Sequence, residues 1–129
     1  MLKNGNGKII EYDDYGRLEF KGEYLNGKRW NGKIKEYNLK TGKLIFEGKY
    51  LNGKRSGKGK EYNVLTGQLE YEGEYLNGKR NGKGKEYDIN GNIIFKGTYL
   101  NGKRNKEDKD YHDSRFFIYK KNPNVYYCN

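Results

Sequence analysis

The chain has 129 residues, a single cysteine, a single histidine and a formal net charge of +10 at pH 7. One cysteine excludes a disulfide within the chain, and one cysteine with one histidine are too few for an ordinary zinc site. High charge with few aliphatic residues is typical of disordered chains. The 14 tyrosines and 19 glycines recur at fixed spacings, however, and this favours an ordered repeat array.

A half unit, NGKIIEY (6–12), opens the array, and four full units follow it. The hexapeptide YLNGKR occurs once in each unit and begins at residues 24, 50, 75 and 99. The units are GRLEFKGEYLNGKRWNGKIKEY (16–37), GKLIFEGKYLNGKRSGKGKEY (42–62), GQLEYEGEYLNGKRNGKGKEY (67–87) and GNIIFKGTYLNGKRNKEDKDY (91–111).

Each unit contains two short strands and two turns. From Leu69 to Tyr75, apolar residues and glycine alternate with glutamates, a period of two that indicates a strand with one apolar face. Asn-Gly follows at once and predicts a type I′ hairpin turn. The second turn (DDYG, NLKTG, NVLTG or DING) predicts a longer hairpin loop. The pattern therefore predicts an all-β fold: an elongated, twisted, single-layer antiparallel meander of about four to five stacked β-hairpin repeats.

The turn position also predicts a register. A two-residue turn at 77–78 pairs Tyr75 with Arg80 and places Tyr71 opposite Gly84, so that the ring can lie across bare backbone. The same rule gives the charge pairs Glu72–Lys83, Glu70–Lys85, Glu47–Lys58 and Lys96–Glu107. In the first unit the extra residue Trp30 predicts a β-bulge.

The last part of the chain departs from the repeat. Residues 105–111 lack the two glycines of the earlier units, RFFIYKK (115–121) matches GNIIFKG in spacing, and Pro123 cannot continue a sheet. We expect residues 1–111 to form the repeat array and residues 112–129 to form a C-terminal capping strand and tail.

Two surfaces are candidate binding sites. A single-layer sheet cannot bury its aromatic side chains well, so we expect partly exposed rings that contact a protein partner. This aromatic face comprises Phe20, Tyr24, Phe46, Tyr50, Tyr71, Tyr75, Phe95 and Tyr99. The second surface is a basic row with a spacing of about 10 Å per unit, a candidate site for anionic lipid or an acidic partner. It comprises Lys28, Arg29, Lys54, Arg55, Lys79, Arg80, Lys103 and Arg104.

The pattern YEGEYLNGKRNGKG (71–84) resembles the MORN (membrane occupation and recognition nexus) repeat, and the resemblance covers about residues 6–111. The ending Gly-Lys-x-Lys-Glu-Tyr also resembles the variant of this repeat in bacterial antitoxin-like proteins of the YwqK type. The resemblance implies a meander of hairpins with a non-catalytic binding or scaffolding role. In this chain Glu36, Glu61 and Glu86 stand where an aromatic residue is common, which makes the aromatic face more polar than the family pattern.

Three functions follow as expectations. The first is a non-catalytic scaffold that binds a protein partner, or a second copy, through the aromatic face. The second is peripheral binding to an anionic phospholipid membrane through the basic row, and the third is an antitoxin-like role. We expect no enzyme activity, no cofactor, no metal, no small-molecule substrate and no nucleic-acid partner. The expected location is the cytoplasm, with peripheral membrane attachment under the second reading.

Overall fold

The computed structural model describes residues 2–107 and the backbone at 112–113. Within these residues the chain forms one open antiparallel sheet without helices, and successive strands up to the ninth are neighbours in the sheet. The predicted all-β hairpin meander is therefore confirmed. The strands are β1 (Gly7–Tyr12), β2 (Leu18–Leu25), β3 (Lys28–Tyr37), β4 (Leu44–Leu51), β5 (Lys54–Tyr62), β6 (Leu69–Leu76), β7 (Lys79–Tyr87), β8 (Ile93–Leu100), β9 (Lys103–Arg104) and β10 (His112–Asp113).

The end of the array is only partly described. Strand β8 pairs first with the short β9 and then with β10, where His112 lies opposite Lys96 and Asp113 opposite Phe95. The strand predicted at 115–121 lies outside the described residues. The division at 111/112 stays a prediction.

The Asn-Gly turns have the predicted conformation. Both residues of a type I′ turn need positive φ, and in all five such turns φ is 51° to 55° for Asn and 76° to 86° for Gly. The fifth turn, Asn4-Gly5, precedes β1 and extends the array beyond the half unit seen in the sequence. Successive turns are stacked, since the amide of each turn glycine donates to a backbone carbonyl of the preceding unit. These bonds are Gly27 to Gly5, Gly53 to Trp30, Gly78 to Arg55 and Gly102 to Arg80, at 2.8 to 3.0 Å.

The longer turns lie along the opposite edge of the sheet and are built alike. The first turn residue accepts hydrogen bonds from backbone amides further along the turn, as an Asx-turn does. In each turn the amide two residues later donates to Oδ1 of that first residue. These bonds run from Tyr15 to Asp13, Lys40 to Asn38, Leu65 to Asn63 and Asn90 to Asp88, at 2.8 to 2.9 Å. This fixed geometry directs the residues at the turn tips away from the sheet.

The predicted register is correct beside the turn and wrong beyond it. Tyr75 pairs with Arg80, but Tyr71 pairs with Glu86 and not with Gly84. The cause is a β-bulge in β7, where Gly82 has a φ of +94° and the pairing moves on by two residues. A glycine with positive φ is a usual component of such bulges.

The same shift corrects the predicted charge pairs. Glu72 pairs with Lys85 rather than Lys83, and Glu47 with Lys60 rather than Lys58. The pairs Glu70–Lys85 and Lys96–Glu107 do not form; Lys96 lies between Lys85 and His112.

The bulge predicted at Trp30 is confirmed, because Tyr24 pairs with Arg29 while Glu23 pairs with Asn31. The first unit keeps the register expected for all units, with Gly22 opposite Gly32.

Candidate interaction surfaces

Most of the aromatic face is a closed core, and the expectation that its rings are partly exposed is wrong for six of the eight residues. Among the eight predicted residues, six are at most 4% exposed, and Tyr24 and Tyr50 are half-buried. The buried six are Phe20, Phe46, Tyr71, Tyr75, Phe95 and Tyr99. A single sheet can bury them because the rings cover one another edge to face, with centroids 5.3 to 5.7 Å apart, a favoured aromatic geometry.

Glycine makes room for this ring layer. A Cβ on Gly84 would lie 2.7 Å from the Tyr71 ring, and one on Gly59 would lie 3.0 Å from the Phe46 ring. The prediction that these rings lie across bare backbone is thus correct, although the strand pairing behind it differs.

The arginines of YLNGKR cover the rings from outside. The guanidinium carbon of Arg55 lies 3.9 Å from the Phe46 ring centroid, and that of Arg80 lies 4.0 Å from the Tyr71 centroid. The corresponding distances are 4.4 Å for Arg104 over Phe95 and 5.5 Å for Arg29 over Phe20. Stacked cations of this kind attract the ring face and shield it from water.

A repeated tyrosine–glutamate–arginine cluster holds each guanidinium in place. The carboxylate of Glu61 accepts hydrogen bonds from the Tyr75 hydroxyl and, at 2.8 Å, from Nε of Arg80. The glutamate comes from the end of one unit, and its partners come from the next. The equivalent clusters are Glu11–Tyr24–Arg29, Glu36–Tyr50–Arg55 and Glu86–Tyr99–Arg104.

The titration behaviour follows from this arrangement. Burial alone would raise the pKa of Glu61, but the hydrogen bonds from Arg80 and Tyr75 outweigh it and lower that pKa below 4.5. Burial and the hydrogen bond to Glu36 raise the pKa of Tyr50 to about 12. At neutral pH the Glu61–Tyr75–Arg80 cluster therefore holds an ionised carboxylate, a neutral phenol and a guanidinium cation.

The predicted basic row divides into two parts. Its arginines are engaged in ion pairs at 2.5 to 3.0 Å with the cluster glutamates, whereas its lysines are exposed. Within residues 2–107 no ion pair or side-chain hydrogen bond involves Lys28, Lys54, Lys79 or Lys103. A glutamate stands directly before the last tyrosine of the half unit and of the first three full units, and it recurs with the same period as the arginine. That shared period is the sequence signal that could have revealed the clusters.

The lysines share their side of the sheet with exposed leucines. Leu51 is directly opposite Lys54, and Leu76 is opposite Lys79, so each pair projects from the same face. The leucines of the four units are 40% to 61% exposed. We call this surface the Leu–Lys row; it comprises Leu25, Lys28, Leu51, Lys54, Leu76, Lys79, Leu100 and Lys103.

A second apolar surface, which we call the tip row, lies on the edge formed by the longer turns. One apolar side chain stands at the tip of each turn: Tyr15 is 85% exposed, Leu39 101%, Leu65 74% and Ile89 67%. Sequence analysis treated these turns as connections and missed the surface. The signal was available, because each of the four turns contains a large apolar residue just after its first or second position.

Residues 46–63 and 71–93 match the MORN repeat model. These two stretches are MORN repeats. The MORN match supports a repeat module of a kind that generally mediates protein–protein or membrane interactions, and it does not distinguish the YwqK-type variant. No curated protein and no solved structure matches the chain. Across the MORN units and the rest of the described chain, no helix could span a membrane and no cluster of His, Cys, Asp and Glu could hold a metal ion.

Proposed function

We propose that the chain is a non-catalytic interaction module that binds a protein partner along the tip row. The observation that carries the proposal is the regular exposure of Tyr15, Leu39, Leu65 and Ile89 along one edge. Repeated apolar side chains on an otherwise polar protein mark an interaction surface. The aromatic face, which the sequence analysis assigned to the partner, is covered by its own arginines. We therefore assign the partner-binding surface to the turns instead.

The charge of this edge favours a protein over an anionic membrane. The turn segments 13–17, 38–43, 63–68 and 88–92 contain three acidic side chains and three basic ones, so they are neutral together. The six are Asp13, Asp14, Asp88, Arg17, Lys40 and Lys43. A neutral edge gains no electrostatic attraction to an anionic bilayer, whereas protein interfaces combine apolar contacts with a polar rim.

A tagged chain and two triple variants test this proposal in extracts of cells that naturally express it. L39S/L65S/I89S removes three of the four residues of the tip row, and L25S/L51S/L76S removes three exposed leucines from the opposite edge as a matched control. We expect proteins captured by the unmodified chain to be lost with the tip variant and retained with the control. Equal capture by both variants would refute the tip row as the contact surface.

The Leu–Lys row supports a second candidate, peripheral attachment to an anionic membrane. Each lysine near an anionic bilayer contributes about 1 kcal/mol, and the adjacent leucines would lie at the level of the lipid headgroups. We expect co-sedimentation with phosphatidylserine vesicles that K28Q/K54Q/K79Q/K103Q abolishes. The tip variant is the control and should sediment like the unmodified chain. Absence of binding at physiological salt would eliminate this candidate.

A further inference from the structure

The sheet face opposite the rings is lined by charged side chains in two rows, one on each side of a line of glycines. Gly59 pairs with Gly73, and Gly73 with Gly84, across β5, β6 and β7. On one side of this line the charges alternate from strand to strand, as cross-strand stability requires. This compensated row is Lys35–Glu47–Lys60–Glu72–Lys85, and only at its far end does Lys85 also lie opposite a like charge, Lys96.

The other row begins with three like charges. Lys21 lies directly opposite Lys33, and Lys33 directly opposite Lys49, on β2, β3 and β4. All three side chains are exposed. Among the residues that the structure describes, none forms an ion pair or side-chain hydrogen bond with this lysine triad.

Like charges directly opposite each other destabilise a sheet. The compensated row lies two residues away along the same strands, with Lys35 beside Lys33 and Glu47 beside Lys49. It shows that this repeat accommodates glutamate at such positions. Nearby Lys8 is itself compensated, because Glu23 stands opposite it, and further along the triad's own row Lys58 faces Glu74. A local arrangement that opposes stability without compensation is expected at functional sites.

The triad borders a groove of about 900 Å³, a size typical of sites for small ligands. Gly22 and Gly32 contribute to its lining. Ile10, which lies directly opposite Lys21, borders it as well. Glu23 also lines it, but that carboxylate is the cross-strand partner of Lys8.

We propose that this groove binds a compact ligand that carries several adjacent phosphate groups. Adjacent strands are about 4.8 Å apart, so three ammonium groups are concentrated within a span of about 10 Å. Acidic side chains on one face of an extended peptide recur only every 6.8 Å or so, and each carries one charge. Linked phosphates supply more negative charge within the same span, and lysine binds phosphate as a point charge. The proposal does not depend on the partner of the tip row.

Tripolyphosphate is the probe, titrated calorimetrically into the full chain at low salt. K21Q/K33Q/K49Q removes the triad, and K35Q/K60Q/K85Q removes three lysines of the compensated row. Both variants lower the net charge from +10 to +7, three lysines fewer than in the sequence. We expect the triad variant to lose affinity at least about tenfold and the control less than about threefold. Circular dichroism confirms that each variant is folded.

Three results would overturn the proposal. One is equal loss of affinity in both variants, which would mean that net charge alone attracts the probe. Another is tighter binding of a triglutamate peptide than of tripolyphosphate. The third is binding only to vesicles whose lipid headgroups carry several phosphates, with no binding of free tripolyphosphate, which would assign the triad to a membrane.

Discussion

Both faces of the sheet carry basic side chains, and they use them in opposite ways. On the aromatic face every arginine of YLNGKR stacks on a ring and pairs with a glutamate of the preceding unit. On the charged face Lys21, Lys33 and Lys49 project into solvent in direct opposition. The comparison teaches that the basic residues of a repeat do not all share one role. The arginines stabilise the fold, and the lysines remain accessible for binding.

The largest effect that separates the faces should come from removing a buried ring. Tyr71→Ala deletes a side chain that contacts Gly84, packs edge to face on Tyr75 and Tyr99 and lies under Arg80. We expect a loss of about 3–5 kcal/mol in the free energy of unfolding, measured by urea denaturation. Leu76→Ala, at an exposed position, should cost less than about 0.5 kcal/mol. Similar costs for the two would mean that the ring layer is not a core.

Acid should act on the aromatic face through its glutamates. Hydrogen bonds from arginine and tyrosine lower the pKa values of Glu11, Glu61 and Glu86 in the folded chain despite burial. The stability that they supply is therefore fully present above the unfolded value, near 4.5, and is lost as pH falls through the lower folded values.

We expect Tm to be nearly constant from about pH 7 to 5 and to fall below about pH 4.5. Glu61→Gln should cost about 1.5–3 kcal/mol at neutral pH, since Arg80 loses its closer charged partner and keeps only Glu86 at 3.7 Å. The substitution should also flatten the acid decline. A thermal scan at each pH measures both effects. A Glu61→Gln profile parallel to that of the unmodified chain would contradict the cluster model.

The smallest expected effect is an increase in stability rather than a loss. Lys33→Gln removes the central charge of the triad and relieves two unfavourable cross-strand neighbours, so we expect the free energy of unfolding to rise by about 0.2–1 kcal/mol. For a chain of this size the corresponding rise in Tm is about 1–4 °C. Lys60→Gln, which deletes a partner of Glu47 and Glu72, should lower Tm instead. A fall in Tm for Lys33→Gln would show that the triad is not a source of repulsion.

The sequence allows the fold to be predicted because its signals are local. The alternation from Leu69 to Tyr75 and the Asn-Gly turn at 77–78 fix a hairpin without knowledge of the rest of the chain. The predicted strand pairing beyond the turn is wrong because it treats Gly82 as an ordinary strand residue, whereas the positive φ of Gly82 creates a bulge. Counting residues from a turn cannot detect such an irregularity.

The surfaces were harder to predict because they depend on which strands become neighbours. The contact between Glu61 and Arg80 joins two units, and the triad joins β2, β3 and β4. Neither follows from the pattern within one unit. The exposure of the tip row follows from turn geometry, and the burial of the aromatic face follows from the stacking of arginines on its rings.

The pairing of each strand with its chain neighbours also has a kinetic consequence. Contacts between residues close in sequence are formed at little cost in loop closure, and chains dominated by them fold quickly. Because each new hairpin can pair with the open edge of the one before it, we expect folding to proceed from the N-terminal turn towards β8 while the chain is still being synthesised. The unpaired edge that exists at each moment is then covered by the next strand to leave the ribosome.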